Sequence, residues 1–151
     1  MVRRSAGSKS IYGMSLWRLG SRRALLIQVA SHRYVKLQVE IAGKRVELLR
    51  ELVPGLRRLA DCYNPSALND AIELKAVGDA ATRFGIKLLP VKAQEAADYD
   101  KAAAMTREWT THAVYISSNP TNYANRSRII ALMAAIRMPA TTLPPSSRLA
   151  V

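Results

Sequence analysis

From about Val39 onward, apolar patterns with helical spacing alternate with short apolar runs typical of buried strands. The predicted order is helix, strand, helix, strand, helix, strand, helix and the start of a fourth strand. Strands that alternate with helices at this spacing form a mainly parallel sheet, because each helix carries the chain back across the sheet. The sequence therefore predicts an α/β fold with three layers (α/β/α), in which helices cover both faces of the sheet.

Proline and glycine mark several ends of the predicted elements. Pro54-Gly55 ends the first helix, Gly85 caps the second helix, and Pro90 favours a position at a sheet edge or strand end. The predicted helices cover residues 44–53, 64–84, 98–110 and 122–136, and the predicted strands cover residues 57–63, 86–91, 112–117 and 138–143.

Two of the predicted strands run into the same dipeptide. Residues 59–63 precede Asn64-Pro65, and residues 112–118 precede Asn119-Pro120. Open α/β sheets bind ligands beyond the carboxyl ends of their strands. Asparagine suits such a turn because it tolerates unusual backbone angles, caps a following helix, and offers both a donor and an acceptor. The repeat indicates an edge that binds a small molecule, although two ordinary capped turns would give the same pattern.

The net charge of +12 is unevenly distributed along the chain. Residues 1–45 carry ten Lys/Arg against Glu40 alone, a net charge of +9, whereas residues 46–151 carry thirteen Lys/Arg against ten acidic residues, a net charge of +3. We expect residues 1–37 to be a basic, poorly structured leader. Nucleic-acid binding through this leader is the less favoured alternative, because the leader has few aromatic residues and no known binding module.

The sequence lacks the usual signs of catalysis or metal binding. A lone cysteine cannot form an internal disulfide, so we expect Cys62 to be a small buried apolar residue. His32 and His112 are isolated, and Asp98 and Asp100 suit the start of a helix. Without a glycine-rich phosphate loop, a nucleophile elbow or paired catalytic carboxylates, we predict no enzyme activity and no cofactor.

Residues 24–30 form the longest apolar run near the amino terminus. The run contains Gln28 and begins late, so it is not a convincing export signal, and it is too short to span a membrane. Retention in the cytoplasm therefore stays an open alternative on the sequence alone.

Five segments, beginning with the motif GKRVELLRELVPG, resemble a known family in their order and spacing. The family is that of bacterial ABC-transporter substrate-binding proteins, of the type I periplasmic-binding-protein-like class. Its members show a similar helix, then an apolar strand ending in Asn-Pro, then the further helices and strands in this order. The five segments are residues 42–55, 58–65, 84–91, 98–109 and 126–141.

The resemblance implies that residues 38–143 form one lobe of a two-lobed binding protein. Such a protein closes around a small polar solute and presents it to an ABC permease in the membrane, which implies a periplasmic location. In this family the turns after the strands line the cleft. The ligand-binding residues implied here are Asn64, Pro65, Ser66, Ser118, Asn119 and Pro120.

Neither the family's export signal nor its first lobe is recognisable in residues 1–37, and the pattern is lost in residues 144–151. We therefore expect a truncated member with a disordered tail at residues 144–151. Half of a cleft would bind its solute weakly, because the missing lobe supplies contacts and excludes water. A non-functional fragment is the alternative to a working or vestigial solute-binding component.

Overall fold

The computed structural model describes the backbone of residues 10–11, 14–15 and 21–141, and the side chains of residues 31–141. Two compact units are present, Met1–Leu37 and Gln38–Val151. The predicted tail at residues 144–151 and the end of the predicted fourth strand, residues 142–143, lie outside the described residues.

The first unit contains a short antiparallel pair and the start of a helix. Strand β1 (Ser10–Ile11) pairs with strand β2 (Met14–Ser15). Helix α1 (Ser21–Leu52) begins well before the predicted start at Lys44. Residues 21–37 of the expected poorly structured leader are therefore helical in the structure.

The second unit contains the alternating helices and strands that the sequence predicted. Its elements after α1 are β3 (Arg58–Tyr63), α2 (Leu68–Arg83), β4 (Lys87–Lys92), α3 (Asp98–Glu108), β5 (Ala113–Ile116), α4 (Pro120–Ala124) and α5 (Arg126–Ala135).

Strands β3, β4 and β5 form a parallel sheet in the order β4-β3-β5. Strand β4 occupies an edge of this sheet, in agreement with the expectation from Pro90. The predicted fourth strand is represented, within the described residues, by a single parallel bridge between Val114 and Ala140. The α/β prediction with a mainly parallel sheet is thus confirmed.

Helices cover the two faces of the sheet, and side chains on β3 alternate between them. Leu59 contributes to a core with α1 and α2, whereas Ala60 and Cys62 contribute to a core with α3 and α5. Successive side chains of a strand point to opposite faces, so β3 serves both cores. Cys62 is a buried free cysteine, as predicted.

Two further helix boundaries differ clearly from the prediction. Helix α2 begins at Leu68, after a turn at residues 64–67, instead of directly at the Asn-Pro dipeptide. The predicted helix at residues 122–136 is divided at Asn125, whose backbone (φ −100°, ψ 12°) leaves the helical region. The Asn125 side-chain amide donates to the carbonyl of Thr121 at 2.9 Å, which is how a short polar side chain competes with helix continuation.

Candidate functional site

The two Asn-Pro turns meet beyond the carboxyl ends of neighbouring strands. Asn64 follows β3 and residues 117–119 follow β5, and these strands lie side by side. The Asn64 Nδ2 atom donates to Thr121 Oγ1 at 3.0 Å, so the first turn is hydrogen-bonded to the helix that follows the second. We call residues 64–66 and 118–120 the Asn-Pro edge.

This edge coincides with the topological switch point of the sheet. The connection from β3 through α2 reaches β4 on one side of β3, whereas the connection from β4 through α3 leads to β5 on the other side. The connections that leave β3 and β5 therefore run to opposite faces of the sheet, and a crevice opens between them at the carboxyl ends of these two strands. In α/β proteins such a crevice is where ligands bind. The predicted residues therefore lie where the topology favours a ligand.

The two asparagines of the edge have different structural roles. Asn119 is the N-cap of α4, because its Oδ1 atom accepts from the backbone of Asn122 at 2.8 Å. Asn64 caps no helix; its Oδ1 atom accepts from the backbone N–H of Ser66 at 2.9 Å and closes an Asx turn. The expectation of a capped helix is thus confirmed for Asn119 and is wrong for Asn64.

The other predicted residues of the edge face solvent to different degrees. Pro65, Ser66 and Pro120 are exposed, and Ser118 is half-buried. The Ser66 hydroxyl accepts from the side chain of Gln94 at 2.6 Å, so Gln94 adds a residue that the sequence did not suggest. The Ser118 hydroxyl accepts from Arg45 at 3.1 Å. Each serine keeps a hydroxyl hydrogen that can be donated to a solute.

Beneath the edge, two buried carboxylates of α2 receive donors from the turns. Asp70 Oδ2 accepts from the backbone N–H of Asn64 at 2.7 Å and from Asn119 Nδ2 at 2.6 Å. Glu73 Oε2 accepts from the backbone N–H of Ser118 at 2.9 Å. Neither residue was predicted from the sequence, although both lie on the buried side of α2 with Val77, at the spacing of one helical turn.

Arg45 connects this layer to three parts of the chain. Its Nη1 atom donates to Glu73 Oε1 at 3.0 Å and to the Tyr115 hydroxyl at 2.9 Å, and its Nη2 atom donates to the Ile116 carbonyl at 2.9 Å and to Thr141 Oγ1 at 3.0 Å. The guanidinium carbon also lies 4.3 Å from the centre of the Tyr115 ring. A planar cation with five donors suits such a junction.

Two groups of this layer keep their protons at neutral pH. Burial raises the pKa of Asp61 to about 8, although the hydrogen bond from Ser117 (3.0 Å) opposes the shift, and the carboxylates of Glu73 and Asp70 reinforce it. Burial also raises the pKa of Tyr115, so its hydroxyl donates to Glu73 Oε1 at 2.6 Å. Burial raises the pKa of Asp70 as well, against the two hydrogen bonds that it accepts.

Two clefts lie beside Ala140 and Thr141, which line both of them. One has a volume of about 240 Å³ and is mainly apolar, with Ile129 and Met133 in its wall. The other has a volume of about 280 Å³ and lies beside Arg45 and Leu52. Leu52 is 70% exposed and does not join the core that contains Val46 and Leu49 of the same helix.

Across residues 31–141, where side chains are described, no group of three His, Cys, Asp or Glu side chains is placed to hold a metal ion. The described helices include none with the length and apolar character needed to cross a bilayer.

The chain belongs to the ABC transporter substrate binding protein family, whose model matches residues 35–143, more than half of the sequence. The resemblance noted at residues 38–143 is therefore confirmed. Among curated proteins, none matches the sequence significantly.

Solved structures with periplasmic-binding-protein-like folds share the architecture. A conserved domain protein from Vibrio cholerae aligns with a TM-score of 0.60 and 23% identity over 66% of this chain and 33% of that protein. The ABC domain from Streptococcus pneumoniae in complex with L-Trp aligns with a TM-score of 0.60 and 16% identity over 66% of this chain and 34% of that one.

A third similar structure is an ABC transporter substrate-binding protein from Desulfitobacterium hafniense in complex with Leu. It aligns with a TM-score of 0.53 and 16% identity over 68% of this chain and 30% of that protein. The present chain thus spans about one third of the length of these proteins. At these identities the likeness is one of fold.

Proposed function

We propose that this chain is the solute-binding component of an ABC transporter and binds a small polar solute at the Asn-Pro edge. The observation that carries the proposal is the hydrogen bond between Asn64 and Thr121, which joins the first turn to the helix after the second turn at the switch point of the sheet. Membership of the ABC substrate-binding family supports a role in binding, not catalysis.

The residues proposed to contact the solute are those of the two turns. Ser66 and Ser118 offer hydroxyl donors, and Pro65 and Pro120 offer small rigid surfaces at the exposed rim. The side chain of Asn119 is already engaged by Asn122 and Asp70, so its proposed contribution is to shape the second turn. The first turn depends on Asn64 in the same way.

The family also supports a location outside the cytoplasm and delivery of the solute to a membrane permease. Two of the similar structures hold L-Trp and Leu, so amino acids are the first class of solute to test. Sugars and small organic acids follow, because serine hydroxyls and asparagine amides suit all three classes.

A thermal unfolding screen of the full chain tests the proposal. L-Trp, L-Leu, D-ribose and succinate are added at millimolar concentrations, and the midpoint of unfolding is measured. A solute that binds only the folded chain raises its stability by about 2.7 kcal/mol when present at about 100 times its dissociation constant. We expect one class of solute to raise the midpoint.

The Ser118→Ala variant locates the effect, and Ser127→Ala, at an exposed serine of α5, is its matched control. We expect the solute-dependent rise to shrink in the first variant and to persist in the second. A cooperatively folding chain that no solute stabilises would argue against solute binding. An equal rise in both variants would argue against the Asn-Pro edge as the site.

A further inference from the structure

One carboxylate oxygen is shared by the two turns of the Asn-Pro edge. Asp70 Oδ2 receives the backbone N–H of Asn64 and the side-chain N–H of Asn119, at 2.7 Å and 2.6 Å. The Asp70 side chain is fully buried, and its Oδ1 atom has no hydrogen-bond partner among the described residues. The bonds of Oδ2 are therefore the ones that link Asp70 to the turns.

Glu73 holds the second turn through its backbone. Its Oε2 atom accepts from the Ser118 N–H, while its Oε1 atom is occupied by Tyr115 and Arg45. Since Asp70 and Glu73 are three residues apart on α2, one helical turn presents both carboxylates to the edge. Hydrogen bonds to an ionised acceptor are stronger and more directional than those between neutral groups.

The charged and titratable groups that interact with these carboxylates come from four other elements. They are Arg45 of α1, Asp61 and Cys62 of β3, Tyr99 of α3 and Tyr115 of β5. The guanidinium of Arg45 bonds Glu73, so Glu73 has a cationic partner. The bonds that Asp70 receives come instead from neutral N–H groups of the two turns, which makes those turns its stabilising partners.

We propose that Asp70 and Glu73 are positioning residues of the Asn-Pro edge, whose carboxylates hold both turns in the arrangement that receives the solute. Asp70 fixes the first turn against the second, and Glu73 fixes the Ser118 backbone. The consequence for affinity rests on the proposed function, whereas the effect on the turns themselves can be measured without any solute.

Amide hydrogen exchange of the full chain, followed by NMR, tests the effect on the turns. We expect the Asn64 amide to exchange at least about 10-fold faster in Asp70→Asn, and the Ser118 amide at least about 10-fold faster in Glu73→Gln. Amides in the middle of β3 should keep their protection in both variants. Asp79→Asn is the matched control, because Asp79 is an exposed residue of the same helix paired with Lys75.

Each variant should affect the amide that its own carboxylate accepts, Asn64 for Asp70→Asn and Ser118 for Glu73→Gln. This pattern distinguishes a positioning role from a general loss of stability. Uniformly faster exchange throughout the sheet, or unchanged exchange at Asn64 and Ser118, would overturn the proposal. If Asp70→Asn fails to fold, Asn119→Ser provides the second test. This variant keeps a residue able to cap α4 but removes the donor to Asp70, and we expect faster exchange in the second turn.

Solute affinity gives the second readout, with L-Leu and L-Trp as probes in calorimetric titrations. We expect affinity at least about 10-fold weaker in Asp70→Asn than in Asp79→Asn, and a loss of wild-type affinity on acidification that Asp70→Asn does not share. Equal affinities would overturn the link to the solute. Binding of neither probe by the wild type would count against the proposed function, while the amide exchange would still decide the positioning role.

Discussion

At the scale of single residues, the surroundings of Asp61 disfavour a negative charge. Its side chain is fully buried in β3, and its Oδ2 atom has no partner among the described side chains and backbone. Burial raises its pKa from an ordinary 3.8 to about 8. The folded chain therefore holds one more proton than the unfolded chain between these two pH values.

Stability should consequently fall as the pH rises from about 4 to about 8, with a slope of up to about 1.4 kcal/mol per pH unit from Asp61. Asp61→Asn keeps an acceptor for the Ser117 hydroxyl and removes this titration. We expect the variant to exceed the wild type in stability at pH 8 and to show a flatter profile. Urea unfolding at several pH values measures the free energy of unfolding, with Asp79→Asn as the control at an exposed carboxylate. If this free energy depended on pH as steeply in Asp61→Asn as in the control, the prediction would be wrong.

Individual residues of the site were predictable where one residue type has one strong local preference. Asn119 before Pro120 indicated an N-cap, and the structure has that cap. Asp70 and Glu73 were not predicted, because acidic side chains on a helix usually face solvent and their partners come from distant segments. Long-range hydrogen bonds of this kind leave no local signal in the sequence.

At the scale of elements, two glycines give the same substitution opposite effects. Gly43 lies inside α1 and Gly85 follows α2 with a φ of +67°, and an added Cβ would meet no atom within 4 Å at either position. Gly43→Ala should stabilise the chain by about 1 kcal/mol, because alanine favours the helix. Gly85→Ala should destabilise it by about 1 kcal/mol, because a Cβ disfavours a left-handed backbone.

Urea unfolding followed by circular dichroism compares these two variants with the wild type. Neither added Cβ makes a contact, so the difference in unfolding free energy between the two variants reports the backbone preference at the two positions. A destabilised Gly43→Ala or a stabilised Gly85→Ala would show that contacts or the unfolded state dominate instead.

Element types were easier to predict than their ends. The short apolar runs indicated each of the three strands of the parallel sheet. The break at Asn125 was not predicted, because it goes with a side-chain hydrogen bond to the Thr121 carbonyl that the spacing of apolar residues does not reveal. The start of α1 at Ser21 was also not predicted, because the positive charge of residues 1–37 indicated a poorly structured leader.

At the scale of the whole molecule, the order of elements determined the class. Alternating strands and helices require crossover connections, and these place the carboxyl ends of parallel strands on one edge. This geometry brought the two Asn-Pro turns together, although they are more than fifty residues apart in sequence. The family resemblance rested on the same order of segments and is confirmed by the family match.

Strand β3 lies between the two cores, so we expect these cores to unfold in one transition while their packing defects add independently. Val46→Ala weakens the core beside α1 and α2, and Ile129→Val weakens the core beside α3 and α5. The expected losses are about 2 kcal/mol and about 1 kcal/mol, from the buried methyl groups removed. The double variant should lose their sum within about 0.5 kcal/mol, because the sheet separates the two sites.

Urea unfolding of the wild type, the two single variants and the double variant measures this double-mutant cycle. It is followed by circular dichroism and by NMR signals from each core. Coincident transitions in both cores would support a single cooperative unit. Coincidence is expected because a shared strand cannot stay paired when one of its cores is lost. If Val46→Ala lowered the midpoint of the α1/α2 core alone, the two faces of β3 would unfold separately and the expectation of one transition would be wrong.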